Sequence, residues 1–259
     1  MRMMKKVLGT VTVLALSVSL LAGCGSTAVS PVSSTASTAA ESTTSSVVSE
    51  TTSAAADENA AAAAQLLNDL TGSYQELWPV ILADEYQQTW LDDCTALVGE
   101  ENAEAAFEKL SSMVTGDVYG EDAVEAYANG GGAYFCGFTN DLATLTFDGE
   151  TSTISGTDKD GNVLFSHTYH YIGMEPVRGL YEFESDDADS GEFTYFFLAP
   201  DTSAETYHIE FRYGSDAEAL SQYDAGEYAY WLASGISTDC DQTMIDNCIE
   251  LFCTENLAG

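Results

Sequence analysis

Positive charge is scarce in this chain. Only 7 Lys and Arg residues stand against 42 Asp and Glu, a net charge of −35 over 259 residues. A field of that sign repels nucleic acid and anionic head groups, which sets aside a nucleic-acid partner, and it gathers cations. The same acidity also serves simply to keep an exported protein soluble. Histidine is scarcer still: His167, His170 and His208 are the three in the chain. No nucleophile elbow, H-E-x-x-H or phosphate loop occurs, so the usual hydrolase, metalloprotease and nucleotide-binding motifs are missing. The six cysteines include no C-x-x-C pair, which leaves a thiolate zinc site or a thioredoxin-type redox pair without support. A free thiol such as Cys94 or Cys136 is the remaining nucleophile, and acidic surroundings raise rather than lower a thiol pKa. The chain is therefore expected not to be an enzyme.

What is present begins at the N-terminus. Arg2, Lys5 and Lys6 precede an apolar stretch from Val7 to Leu21 that is short for a bilayer span, and Leu21-Ala22-Gly23-Cys24 follows. That pattern reads as a signal peptide over residues 1–23, and the tetrapeptide resembles a bacterial lipobox. Cleavage before Cys24 and lipidation of its thiol and new amine would anchor the chain to the outer face of a bacterial cell membrane. The mature chain then keeps four basic residues, Lys109, Lys159, Arg178 and Arg212. It also keeps five cysteines, Cys94, Cys136, Cys240, Cys248 and Cys253. An odd number outside the cytoplasm allows at most two disulfides, and their pairing stays open.

Residues 24–63 are the lipidated Cys24 and a Ser, Thr and Ala-rich run that cannot bury enough apolar area to offset its ordering entropy, so they are expected to be a disordered tether. Across its end, Asp57 to Leu70 is helix-prone, either the tether's end or the first helix of the domain. Residues 64–259 then make one domain. Tyr74 to Leu97, Glu100 to Val114 and Glu121 to Ala128 read as helices, and Asn129-Gly130-Gly131-Gly132 ends that half.

Seven short strands are expected after the glycines: Ala133 to Phe138, Leu142 to Phe147, Thr151 to Gly156, Val163 to Ile172, Gly179 to Glu184, Glu192 to Leu198 and Glu205 to Tyr213. Asp148-Gly149, Lys159-Asp160-Gly161 and the acidic Ser185 to Gly191 are hairpin-type connections. A final helix follows, with Thr238 and Asp241 resembling a capping box and Ile245, Cys248, Ile249 and Phe252 on one stripe, where Cys248 is expected as a buried thiol. The fold class is mainly β, an antiparallel sheet closing into a barrel or sandwich, with helices before and after it.

The last strand is the place to look for a site. From Thr206 to Tyr213 polar and apolar residues alternate, so Thr206, His208, Glu210 and Arg212 share one face and Tyr207, Ile209, Phe211 and Tyr213 the other. A polar face turned inward would line a cavity. Seven collinear segments carry a family resemblance: Trp78-Pro79, Gly137 to Asp141, His167 to Gly173, Arg178 to Glu184, Leu198-Ala199-Pro200, Thr206 to Ile209 and Ser234 to Ser237. In these the chain resembles the ZinT (YodA) family of lipocalin-like, periplasmic or lipid-anchored zinc-binding proteins.

The resemblance implies a lipocalin- or calycin-like antiparallel barrel, zinc or another divalent cation as ligand, and a metal-uptake transporter as partner. It also implies three metal histidines at the barrel mouth, one before the Pro200 turn and two in an H-x-H strand. This chain keeps His208 of that pair; the other two positions fall on Thr206 and Phe196. A retained site would recruit Glu210 from the same face, or Asp141, His167 or His170 from neighbouring strands. At spacing three on one strand, His167 and His170 face opposite ways, so at most one points inward. The resulting expectation is an extracytoplasmic lipoprotein that binds a divalent metal for supply or buffering. The alternative is a calycin-type protein that has lost the metal and binds a small molecule, peptide or partner, suggested by Phe196 among Tyr169, Tyr171, Tyr195, Phe197, Tyr228, Tyr230 and Trp231.

Overall fold

The computed structural model describes residues 58–200 and 208–258, all within one unit, Ala40–Gly259. The expected leader, Cys24 and most of the expected tether lie outside them, as does Thr206. None of the described helices is long and apolar enough to cross a membrane.

The chain enters through helix α1, residues 58–69, so the helix-prone run belongs to the domain. Ala63, Leu66 and Leu67 lie on one face of α1 and Leu70 follows at the same spacing, all buried in the cluster that fills the barrel. Eight antiparallel strands then close on themselves in sequence order. They are β1 (Gly72–Glu76), β2 (Thr144–Asp148), β3 (Thr153–Thr157), β4 (Val163–Met174), β5 (Tyr181–Ser185), β6 (Tyr195–Leu198), β7 (His208–Gly214) and β8 (Ala233–Ser237). The expected lipocalin-like barrel is thus the observed one.

Closure depends on β1, whose Tyr74 to Glu76 the sequence pattern places in a helix. Tyr74 pairs with Leu145 of β2 on one side and Ser237 of β8 on the other. A five-residue strand has too short a period to announce itself, and its identity comes from partners distant in the chain. β8 escapes notice for the same reason. Ala133 to Phe138, expected as a strand, makes only isolated bridges at Phe135, to Thr115 and Trp231.

The connection from β1 to β2 carries α2 (Leu77–Ile81), α3 (Gln87–Val98), α4 (Glu100–Val114) and α5 (Glu121–Ala128). With the C-terminal helix α7 (Gln242–Leu257), α2 to α4 build a second core outside the barrel that reaches the sheet through Ile236. Trp90 anchors it: its indole N–H donates to the Ile81 carbonyl at 2.7 Å, and its ring meets Phe107 and Phe252. The α7 cap is Asp241, which accepts from the Met244 N–H, while the Thr238 hydroxyl donates to the Ser73 carbonyl instead of closing a capping box.

The hairpin signals hold. Asp148 accepts from the N–H groups of Glu150 and Thr151, and Gly161 adopts φ +82° in the β3 to β4 turn. Gly149 lies directly against α1, where a Cβ would overlap the backbone of Leu67 and Asn68. Gly149→Ala should therefore push α1 off the barrel and lower stability by about 1–3 kcal/mol. An unchanged urea midpoint would show that α1 does not bear on the turn.

Candidate functional site

Strand β7 is turned opposite to the cavity-lining expectation. Ile209, Phe211 and Tyr213 face into the barrel, all buried, which puts His208, Glu210 and Arg212 on the outside. The reason lies in what already occupies the lumen. The Phe196 ring stacks with Phe165, Phe211 and Tyr213 at 5.8, 6.4 and 5.4 Å, Tyr213 meets Trp231 at 5.0 Å, and Phe138 meets Phe211 at 5.3 Å. Three polar side chains among these rings would lose their water without finding partners, whereas three apolar ones extend the stack. Phe196, which stands where the resemblance implies a ligand, is a fully buried part of that packing. The aromatics offered for a small-molecule cavity are largely the barrel's own core.

The outer face of β7 is covered in turn. Arg212 is 0% exposed. Its Nη1 donates to the carbonyls of Leu220 and Gln222, and its Nη2 to those of Gln222 and Tyr228. Its guanidinium lies 4.4 Å from the Tyr223 ring centroid, and Arg178 lies 4.3 Å from the same ring. Burial pulls the Arg212 pKa down to about 10, so it stays charged at neutral pH. This arginine fastens the β7 to β8 connection and offers nothing to a ligand.

His208 and Glu210 are half-buried and sit opposite Ile236 and Ser234 of β8. Two thiols of the outer core sense the Glu210 charge. Cys136 and Cys248 are each pushed up to about 12, first by burial and next by Glu210. Cys248 is buried, as its place on the α7 stripe anticipates. An imidazole and a carboxylate two residues apart on one strand face can approach one cation together.

The other candidates do not join them. His167 has the inward parity of Phe165 and Tyr169, with a side chain 16% exposed, and its Nδ1 is 2.7 Å from Asp187 Oδ2. His170 faces outward, its Nδ1 2.7 Å from Asp186 Oδ1 and its Nε2 4.0 Å from Glu184. One of the two points inward, as their spacing allows. Strands β5 and β6 separate them from β7. Asp141 is exposed in the turn ahead of β2, at φ +60°. It lies toward the far end of β7, where the Tyr213 hydroxyl donates to the Thr139 carbonyl at 2.8 Å. Among the described residues, no group of three or more His, Cys, Asp or Glu side chains could hold a metal ion. A separate cavity of about 440 Å³ lies beside α5, lined mainly by Gly116, Ala123, Ala126, Gly131 and Gly132 with Asp117 and Asn129.

The two raised thiols give a pH dependence with a definite sign. Unfolded, they ionise near 9.0; folded, only near about 12. Burying them as neutral groups contributes stability fully below pH 9, and that contribution is lost as the pH climbs from 9 toward 12. Wild-type protein should lose urea resistance more steeply over this window than a Cys136→Ala, Cys248→Ala double variant. Equal slopes would rule the thiols out.

No protein-family model and no curated protein matches the chain. Among solved structures it is similar to the zinc-bound ZinT-like domain of AdcA from Streptococcus pneumoniae. The TM-score is 0.45 and the identity 16%, over 71% of this chain and 89% of that one. It is also similar to zinc-bound AdcA from the same organism, with TM-score 0.42 and 15% identity over 72% of this chain. The match spans 35% of that longer protein.

Proposed function

We propose that this chain is a lipid-anchored extracytoplasmic protein that binds a divalent cation, zinc by resemblance, through His208 and Glu210 on the outer face of β7. The observation that carries the reading is the placement of these two side chains on one half-buried strand face, offering one nitrogen and one carboxylate to a single ion. Two protein ligands are fewer than the three or four of a tight zinc site, so water completes the shell and the ion exchanges readily. The acid excess favours cation capture in general. Weak, exchangeable binding suits buffering or delivery to a neighbouring metal-uptake transporter, and Cys24 would tether the barrel at the membrane where such a transporter sits.

All five described cysteines have raised pKa values, with burial the first cause in each, and none is an activated nucleophile.

Calorimetric titration with zinc at moderate salt should show one site of modest affinity in the purified chain. His208→Ala should weaken it by about tenfold or more, and Glu210→Gln should weaken it as well. Identical isotherms for wild type and both variants, or heat that disappears with added salt, would leave only diffuse attraction to the acidic surface and defeat the proposal.

A further inference from the structure

A close pair of thiols lies away from β7, in the outer helical core. Cys94 of α3 and Cys253 of α7 are each 0% exposed, and their Sγ atoms are 4.0 Å apart. Helices α3 and α7 pack against each other along this line, with Trp90, one turn before Cys94, against Phe252, the neighbour of Cys253. Cys240 and Cys248 sit on or just before α7, and Cys136 lies near the barrel wall.

We propose that Cys94 and Cys253 form a disulfide that staples the C-terminal helix to α3. The sulfurs have to close from 4.0 Å to the roughly 2 Å of a disulfide, a displacement of the size that side-chain rotation supplies. In the reaction two S–H bonds are broken and one S–S bond forms. The two protons and the two electrons pass to a small-molecule or protein thiol–disulfide oxidant, whose own S–S bond breaks to give two thiols. The inference is independent of the metal reading.

The setting also says when the bond forms. Burial raises both thiols, so in the folded protein few thiolates are present to attack and no oxidant reaches them. Exchange therefore belongs to the stage at which α7 docks, and the finished bond is shielded from reductants afterwards. The cross-link joins positions 159 residues apart and encloses strands β2 to β8. A loop of that length is where constraint of the unfolded chain is largest.

The test is to refold the full chain in a mixture of reduced and oxidised glutathione, alkylate it in denaturant without reductant, and cleave at acidic residues for mass spectrometry. The expected product is one linked pair of fragments, one holding Cys94 and the other Cys253. Alkylation of both as free thiols, or linkage of either to Cys136, Cys240 or Cys248, would overturn the assignment. As a second measurement, reduction in denaturant followed by refolding should lower the Tm of wild type by roughly 5–15 °C. The same treatment should leave Cys253→Ala unmoved, and an equal drop in that variant would count against the staple. If the variant fails to fold, the fragment map of the wild-type chain decides alone.

Discussion

The parity of strand β7 is the constraint on which the rest of this structure depends. A strand presents alternate side chains to its two sides, and an eight-stranded barrel has room inside for little beyond its own side chains. Once Phe211 and Tyr213 join the rings of Phe165, Phe196 and Trp231, His208, Glu210 and Arg212 have no choice of side. An outward strand with a guanidinium and a carboxylate must then find partners outside. The β7 to β8 connection folds back over Arg212, and α7 covers the β8 neighbour Ile236. The helical layer on this side of the barrel follows from the lumen.

Burying a cation in so anionic a chain is costly, and Nη1 and Nη2 of Arg212 offset part of that cost, while its Nε finds no hydrogen-bond partner. Arg212 satisfies three carbonyls at the end of α6 (Ala217–Leu220) and in the segment after it, groups that would otherwise stay unpaired at a helix end. The Tyr223 ring lies between two guanidinium groups, and its hydroxyl donates to the buried Glu175 carboxylate at 3.3 Å. Glu175 also accepts from the N–H groups of Val177 and Arg178. Two of the four basic residues after residue 23 are thus spent tying the β4 to β5 connection to the β7 to β8 connection. Neither is available for steering an anion, which accords with a surface that attracts cations alone.

Much of the architecture was legible in the sequence. Helix α4 spans the residues that its Ala103, Phe107 and Leu110 spacing indicates, the Asp148-Gly149 and Lys159-Asp160-Gly161 turns sit where strands reverse, and His167 and His170 face apart as a spacing of three requires. Strands β1 and β8 were not legible, because Gly-Ser-Tyr-Gln-Glu and Ala-Ser-Gly-Ile-Ser owe their pairing to partners far along the chain. The alternation in β7 was visible, but alternation defines two faces without saying which is inside. The apolar face went inward because burial of rings outweighs any benefit of lining a cavity with ionisable groups. The company of Glu210 with Cys136 and Cys248 had no local signal, since those residues come from three separate segments.

That company bears on how the proposed cation site would behave. Thiolate is the metal-binding form of cysteine, and ligation requires the proton to leave. Glu210 works against this in the metal-free protein by helping to hold the Cys136 and Cys248 protons in place up to about 12. The proposed donor set on β7 is one imidazole and one carboxylate, with both thiols protonated in the metal-free protein. A site so composed holds a divalent ion loosely and gives it up to any acceptor that offers a third ligand.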